Sequence, residues 1–249
     1  MTEVPYKRLL KTEEGMNAGA AEHEFLTIVS HELRTATAAI LGWAELLGRT
    51  ALDDERLARG IEIIKRNAQL QAQLIEHLID FSLTRTDDFK LDVQKIVVLP
   101  TLKAAIETMM PLALAKDIKI AARLDPASGW IIGDTFRLQQ VFTNLISNAI
   151  RFTPSGGHIR VLLADDGTSV EVKVSDTGSG ISAEYLPGIF NGFRQGANRA
   201  TAPGGLGLGL NISQRLIERH GGRIDAFSNG KGQGATFTVH LPRTDENVD

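Results

Sequence analysis

Two groups of residues in this 249-residue sequence have the types and spacing expected of a catalytic or ligand-binding site. The first is centred on a histidine. His31 begins the segment His31-Glu32-Leu33-Arg34-Thr35. A histidine has an ordinary pKa near ~6.5, so at neutral pH much of it is uncharged and one ring nitrogen carries a lone pair that can attack phosphorus. The adjacent Glu32 is placed to accept the proton of the other ring nitrogen. Taken alone, however, an exposed histidine beside a glutamate on a helix is usually an ordinary surface pair.

The second group combines two asparagines with glycine-rich segments. It contains Asn144, Asn148 and Arg151, the run from Asp176 through Gly178 and Gly180 to Ile181, the segment from Phe190 to Phe193, and the run Gly205, Leu206, Gly207, Leu208, Gly209, Leu210. The asparagines and the arginine share one helix face, and an amide oxygen is a suitable ligand for Mg²⁺. A buried carboxylate can accept the exocyclic amine of adenine, and glycines that open a helix favour phosphate. Each feature alone has an ordinary explanation as a surface pair or a turn.

Apolar residues that recur at steps of three and four predict the helices that carry the histidine. The first stripe contains Leu26, Val29, Leu33, Ala36, Ile40, Trp43 and Leu47, and the second contains Leu57, Ile61, Ile64, Ala68, Ile75 and Leu78. In this frame His31 lies on the outward face of a helix that runs from about Glu24 to about Gly48. Two such helices form a hairpin that cannot bury both stripes by itself. A second copy is therefore expected to complete a dimeric four-helix bundle.

Beyond residue 90 the hydrophobic period changes to that of an α/β domain. We expect strands at residues 91–98, 118–124, 130–132, 159–163, 170–174, 223–228 and 235–241, and helices at 102–116, 135–152 and one that ends near His220. The predicted fold class is α+β, with an N-terminal helical hairpin followed by an α/β sandwich. The predicted domains are an N-terminal segment at 1–21, the hairpin at 22–86, the sandwich at 87–243 and a tail at 244–249.

Composition excludes several classes of protein. The formal net charge of −3 and the absence of a Lys/Arg-rich run argue against nucleic-acid binding. The absence of cysteine rules out disulfides and suits a cytoplasmic protein. No stretch approaches the ~20 apolar residues that span a bilayer, so no membrane segment is expected. The sequence also lacks the zinc-protease, P-loop and Rossmann motifs.

The histidine segment and the heptad helix that continues through Ile40 to Leu47 closely resemble the dimerisation and phosphoacceptor helix of sensor histidine kinases. The resemblance implies that His31 is the phosphoacceptor and Glu32 its acid/base helper. It further implies that Thr35 holds the water that dephosphorylates a partner response regulator. The family usually has proline where this sequence has Ala36, so the local helix kink is expected to be weaker here.

The second group resembles, in the same order, the N, G1, F and G2 boxes of the ATP-binding domain of these kinases, a Bergerat-type sandwich shared with gyrase, MutL and Hsp90. By this resemblance Asn148 holds Mg²⁺, Asp176 fixes adenine, and Gly178 and Gly180 shape the adenine pocket, to which Ile181 is assigned. Gly205, Gly207 and Gly209 wrap the phosphates, with Leu206 and Leu208 between them, and residues 191–204, which include Phe193, form a lid. Arg151 stands where the family usually has lysine, and either cation can contact phosphate.

Some positions depart from the family pattern. Hydrolytic relatives carry a general-base glutamate where this sequence has Asn144, and an amide cannot act as a base, which favours a kinase over an ATPase. Asn191-Gly192 replaces the usual Glu-Pro, and Leu206 replaces a common Thr or Ser.

The resemblance implies a homodimeric protein-histidine kinase that transfers the γ-phosphoryl group of ATP to His31 and then to an aspartate of a separate response regulator. Two alternatives stay open: a dimeric docking scaffold that binds nucleotide and a regulator but transfers phosphate poorly, and an ATP-driven clamp like the hydrolytic relatives.

Overall fold

The structure is a computed structural model that describes residues 27, 29–31, 33–49, 53–85, 90–125, 129–191 and 209–244. Its internal contacts divide the chain into two compact units, one built on the residues up to Ile79 and one built on the residues from Asp80 onward. The predicted boundary between residues 86 and 87 stays a prediction, because residues 86–89 lie outside the described part of the chain.

The first unit is a pair of long helices, α1 (33–49, with 27 and 29–31 also helical) and α2 (Asp54–Arg85). Helix α2 begins after Asp53, whose Oδ1 accepts a hydrogen bond from the backbone N–H of Arg56 at 2.8 Å. The Trp43 ring lies against Gly60, where an added Cβ would come within 2.7 Å of the ring. Glycine at position 60 therefore provides the space in which the indole packs.

Only part of the predicted apolar pattern of the hairpin is buried. On α1, Val29 and Ala36 are buried as expected, and His31 is exposed as expected. On α2, the face toward α1 includes Gly60 and Leu74, one position before Ile75 of the predicted stripe. The stripe predicted for α2 is largely exposed, with Leu57 at 41%, Ile61 at 53% and Ile75 at 49% of their full exposure. The hairpin thus has an apolar surface that it does not bury by itself.

The second unit contains the remaining elements. They are β1 (Gln94–Val97), α3 (Val98–Ala115), β2 (Lys119–Leu124), β3 (Trp130–Gly133), α4 (Thr135–Phe152), β4 (His158–Asp165), β5 (Ser169–Asp176), α5 (Gly209–Arg219), β6 (Arg223–Phe227) and β7 (Thr236–Pro242). A five-stranded sheet has the order β2-β4-β5-β7-β6, in which β2 and β4 are parallel and the other neighbours antiparallel. Strands β1 and β3 form a separate antiparallel pair. The predicted α/β sandwich is confirmed.

The sheet has one apolar and one polar face, because side chains alternate along a strand. The buried residues on its three central strands are Ile159, Val161, Leu163, Val170, Val172, Val174, Phe237, Val239 and Leu241. Helices α3, α4 and α5 contribute the other half of the core, with Leu102, Leu145 and Leu216 almost fully buried. On the other face, Glu171 pairs with Lys173, and Asp225 pairs with Arg223.

Helix α3 is, among the described residues, long and apolar enough to pass a length and composition test for crossing a membrane, although a third of its length is buried. Val98, Leu102, Ala105, Ile106 and Ala113 are its buried apolar residues. No such stretch was expected from the sequence, because Lys103, Glu107 and Pro111 interrupt the apolar residues of this helix.

His220, at the end of α5, connects α5 to the start of α4. Its Nε2 accepts the backbone N–H of Asp134 at 3.0 Å, and its Nδ1 lies 2.7 Å from the carbonyl oxygen of Leu216. Since Nε2 accepts, Nδ1 carries the hydrogen and the ring is neutral. Asp134 in turn caps α4 by accepting the backbone N–H of Arg137 at 3.1 Å.

We expect the stability of the nucleotide-free protein to fall on acidification in part through His220. Burial lowers the pKa of this imidazole below its usual value of 6.5. The unfolded chain therefore binds the proton first, and the stabilisation present above the unfolded pKa is lost as the pH falls through the folded pKa. Melting temperatures measured between pH 8 and pH 5 should show this loss, and His220→Gln should remove that component. An unchanged pH profile in the variant would contradict the assignment.

Candidate functional site

Helix α4 presents three of the predicted site residues on one face. Asn144, Asn148 and Arg151 are half-buried, and Asn144 donates through Nδ2 to the hydroxyl oxygen of Ser213 on α5 at 2.9 Å. Asn148 donates through Nδ2 to Asn144 Oδ1 at 3.5 Å, a long hydrogen bond. The two carboxamides thus form one connected group beside α5.

Gly209, the first residue of α5, allows this contact. A Cβ at position 209 would collide with the carboxamide of Asn144. The first turn of α5 therefore lies against Asn144, and the backbone N–H groups at a helix start favour anions. Gly205, Leu206, Gly207 and Leu208, which precede this turn, lie outside the described residues.

The C-terminal end of α4 is fixed by groups from neighbouring elements that have no visible motif in the sequence. Lys116 donates from Nζ to the carbonyl oxygens of Ile150 and Arg151 at 2.8 and 2.9 Å. The backbone N–H of Ser179 donates to the carbonyl oxygen of Phe152 at 3.1 Å. These bonds satisfy carbonyls that a helix end leaves without intrahelical partners. The bond from Ser179 also joins the asparagine helix to the loop that follows β5.

Asp176 is the acidic residue of that loop. Its Oδ1 accepts the backbone N–H groups of Gly178 at 2.8 Å and Ala235 at 3.3 Å. Burial raises the pKa of this carboxyl above its usual value, and the two hydrogen bonds partly oppose the rise. No residue in the described part of the chain donates a hydrogen bond to Oδ2. Oδ2 is therefore the atom that can accept a hydrogen bond from a ligand amine.

The glycines of this loop are required by contacts within the chain. A Cβ on Gly178 would collide with the carbonyl oxygen of Phe152, and a Cβ on Gly180, whose φ is +65°, would collide with that of Gly230. The N–H of Ile181 donates to Ser228 Oγ at 2.9 Å. By the resemblance these two glycines shape the adenine pocket; in the structure each is required by close approach to the protein's own backbone.

We expect Gly180→Ala to lower the free energy of unfolding by about 3 kcal/mol, since a left-handed φ and a backbone collision both oppose the methyl group. Gly232→Ala is the matched control, because Gly232 has a φ of +76° in the same region but nothing within 4 Å of the added Cβ. The control should cost only about 1 kcal/mol. Urea unfolding checks both variants, and equal losses would show that crowding at Gly180 is unimportant.

In the helical unit, His31 and Thr35 lie one turn apart on the exposed side of α1. The hydroxyl of Thr35 donates to the carbonyl oxygen of His31 at 2.9 Å. Glu32 and Phe193 both lie outside the described residues.

The described residues of the candidate site suit Mg²⁺ only as an ion held by a single protein ligand together with waters and nucleotide phosphates. Among the described residues there is no cluster of three His, Cys, Asp or Glu side chains that could hold a metal by itself. Mg²⁺ commonly keeps several waters and binds through one or two protein oxygens together with substrate phosphates. A single carboxamide oxygen of Asn148, whose amide is bonded to the Asn144 side chain that lies against the start of α5, suits that mode.

Two family models match the chain. The "His Kinase A (phospho-acceptor) domain" matches residues 21–86, and the "Histidine kinase-, DNA gyrase B-, and HSP90-like ATPase" matches residues 133–245. These ranges contain the histidine hairpin and the asparagine and glycine segments, in the order found in the sequence.

Curated relatives extend the match over nearly the whole chain. Sensor histidine kinase GacS of Pseudomonas protegens is 33% identical over 249 residues, which cover 96% of this chain and 27% of that protein. Hybrid signal transduction histidine kinase D of Dictyostelium discoideum is 33% identical over 272 residues, which cover 91% of this chain and 18% of that protein. The chain thus spans about a quarter or less of the length of these two relatives.

Solved structures have the same architecture. Full-length ShkA in complex with AMPPNP has a TM-score of 0.65 and 28% identity, and the match covers 91% of this chain and 47% of that one. Histidine kinase ThkA in complex with response regulator TrrA has a TM-score of 0.70 over 100% of this chain and 70% of that one, and its 21% identity supports the fold alone. Since both domain models, the long relatives and the solved folds agree, the chain belongs to the sensor histidine kinases of two-component signalling systems.

Proposed function

We propose that this chain phosphorylates itself on His31 with ATP and passes the phosphoryl group to an aspartate of a response regulator. The observation that carries the proposal is that one chain combines an exposed His31 on a helical hairpin with a nucleotide fold in which Asn144, Asn148 and Gly209 meet.

ATP would be held by groups that the fold already orients. Asp176 Oδ2 accepts the exocyclic amine of adenine, while Oδ1 keeps the loop closed through Gly178 and Ala235. The start of α5 and the guanidinium of Arg151 attract the phosphates. Bound Mg²⁺, with Asn148 as its protein ligand, would neutralise negative charge on the triphosphate.

At the phosphoacceptor, a ring nitrogen of neutral His31 forms a bond to the γ-phosphorus as the bond from that phosphorus to the bridging oxygen breaks. ADP leaves with the electron pair of that bond. The proton on the other ring nitrogen passes to a base, and Glu32 is our candidate for it. Positioning and charge neutralisation supply most of the catalysis, as in other phosphoryl transfers.

The direct test is incubation of the purified protein with Mg²⁺ and γ-labelled ATP, followed by treatment with acid or alkali. Label that survives alkali but not acid is expected, because a phosphoramidate is acid-labile. Asn148→Ala should incorporate much less label. Nucleotide binding without such label would overturn the proposal and identify the docking scaffold, for which Ala36, Leu206 and Asn191-Gly192 are the departures. Sustained hydrolysis without label would identify the ATP-driven clamp.

We also propose that two copies pair through the exposed apolar stripe of α2 to complete a four-helix bundle. Leu57, Ile61 and Ile75 are each more than 40% exposed in the single chain, and such a surface is usually covered by a partner. The stripe lies on a face of α2 next to the one that packs on α1. A second hairpin can therefore cover it without disturbing the first packing.

Ile61→Asp is expected to weaken this dimer at least about hundredfold, because a carboxylate from each copy would be buried without a partner. Gln69→Asp is the matched control, since it adds the same charge at an exposed position outside the stripe, on the side of α2 that faces away from α1. Sedimentation equilibrium measures the dissociation constants. Dissociation constants equal to that of the wild type in both variants would exclude the stripe as the dimer surface.

The proposal also includes dephosphorylation of the response regulator and a cytoplasmic location for this chain. Thr35 would position the water that hydrolyses the aspartyl phosphate of the regulator, using its hydroxyl oxygen as an acceptor while its hydrogen is donated to the carbonyl oxygen of His31. The solved complex of ThkA with TrrA is an example of a kinase of this fold with a regulator. Both units would act in the cytoplasm.

A further inference from the structure

Asn144 on α4 forms a small cluster with Gly209 and Ser213 on α5. The proposed function assigns no role to Ser213. The carboxamide of Asn144 lies against Gly209, and its Nδ2 donates to Ser213 Oγ at 2.9 Å. Gly209 and Ser213 are four residues apart on α5, so the carboxamide lies across the first turn of that helix. Ser213 is only 2% exposed, and its hydroxyl is therefore not available to solvent.

The hydrogen bonds in this cluster have a direction. A carboxamide has a donor end and an acceptor end, so the end that contacts one neighbour determines what the other end can do. Because Nδ2 of Asn144 is directed to Ser213, its Oδ1 is left to accept from Nδ2 of Asn148. The amide hydrogens of Asn148 are then directed to Asn144, and its oxygen is the end left for a cation. A hard cation binds the oxygen and not the amide nitrogen.

We propose that Ser213 is a positioning residue for the metal-binding asparagine: by accepting from Asn144 it fixes the orientation of both carboxamides, so that Asn148 offers its oxygen to Mg²⁺. The inference rests on the proposed function, in which Asn148 is the Mg²⁺ ligand. It also links the metal ligand to the docking of α5. If the first turn of α5 moves away, Asn144 loses its acceptor and the orientation of Asn148 is no longer fixed.

The test compares nucleotide affinity with and without metal. A fluorescent ATP analogue is titrated into wild-type protein, Ser213→Ala and Ser213→Thr, in excess EDTA and in excess Mg²⁺. Ser213→Ala should keep the wild-type affinity in EDTA. The factor by which Mg²⁺ raises its affinity should be about tenfold smaller than in the wild type, since the half-buried amide of Asn144 is left without its acceptor. Ser213→Thr keeps the hydroxyl and should restore most of the gain. Ser169→Ala removes a hydroxyl from the β4–β5 turn and should behave as wild type.

A second readout uses neither metal nor nucleotide. In nitrogen-15 spectra of the free protein, the side-chain amide hydrogens of Asn144 should exchange slowly with water, and Ser213→Ala should speed their exchange several-fold. A Ser213→Ala protein with the full Mg²⁺ gain and unchanged exchange would overturn the inference while leaving the kinase proposal intact. A wild-type protein whose nucleotide affinity does not respond to Mg²⁺ would instead count against Asn148 as the metal ligand, and so against the proposed site.

Discussion

Replacing His31 with glutamine is expected to reduce acid-labile label to below about a thousandth of the wild-type amount, because glutamine has no nitrogen lone pair that can attack phosphorus. His31 is exposed on α1, so the substitution should not disturb packing. Nucleotide affinity and the melting temperature should stay unchanged. Label incorporation after a fixed time, with nucleotide binding measured on the same preparation, checks the prediction.

His158→Gln provides the matched control. His158 is also exposed, but it lies at the start of β4 in the nucleotide unit and has none of the sequence context of His31. This variant should incorporate label like the wild type. If His31→Gln kept its label, the phosphoacceptor would be another residue. If the variant lost both label and nucleotide binding, the loss of label would no longer report on the nucleophile.

The secondary structure of the nucleotide unit could be predicted because its periods are clear. Helix α4 is found at residues 135–152 as predicted, since Asp134 caps its start and Pro154 follows its end. The strands expected at residues 159–163 and 170–174 are also found, as β4 and β5, and they pair as a hairpin around the turn at Asp166. Hydrogen bonds from Thr168 and Ser169 lower the pKa of the Asp166 carboxyl well below its usual range. Turn chemistry and strand alternation are local, and local signals can be read from sequence.

Contacts between distant elements could not be predicted in this way. The face of α2 that packs on α1 includes Gly60 and Gln71, and neither is a hydrophobic side chain. At Gly60 the Trp43 ring occupies the position that a side chain would take. Gln71 faces α1 because its amide donates to the carbonyl oxygen of Leu33 at 3.3 Å. Apolar periodicity therefore predicts the neighbouring stripe as the buried face, whereas that stripe is exposed.

The candidate site shows the same limit. Asn144, Asn148 and Asp176 could be chosen from residue type and order, because their chemistry is visible in the side chain. Ser213 and Lys116 could not be chosen in this way. The role of Ser213 comes from one hydrogen bond between α5 and α4, and that of Lys116 comes from two hydrogen bonds to the end of α4. One signal was present: Ser213 lies four residues after Gly209 and so on the same helix face.

Asp176→Asn is expected to weaken nucleotide binding at least about hundredfold while leaving the fold intact. The carbonyl oxygen of the asparagine can still accept the N–H groups of Gly178 and Ala235, which hold the loop. Its amide group then replaces Oδ2 and directs a donor toward the adenine amine, which is also a donor. Titration with a fluorescent ATP analogue in excess EDTA measures the adenine contact without a contribution from Mg²⁺.

Asp225→Asn is the control, because Asp225 is an exposed carboxylate on the polar face of the sheet, paired with Arg223 at 3.2 Å. It should bind nucleotide like the wild type. The pH dependence provides a separate check on Asp176, because burial raises the pKa of this carboxyl and a proton on Oδ2 removes the acceptor. Wild-type affinity should therefore decrease on acidification at a higher pH than an ordinary aspartate would cause, and Asp176→Asn should lack that component. If Asp176→Asn bound nucleotide as tightly as Asp225→Asn, adenine would have to be recognised by another group.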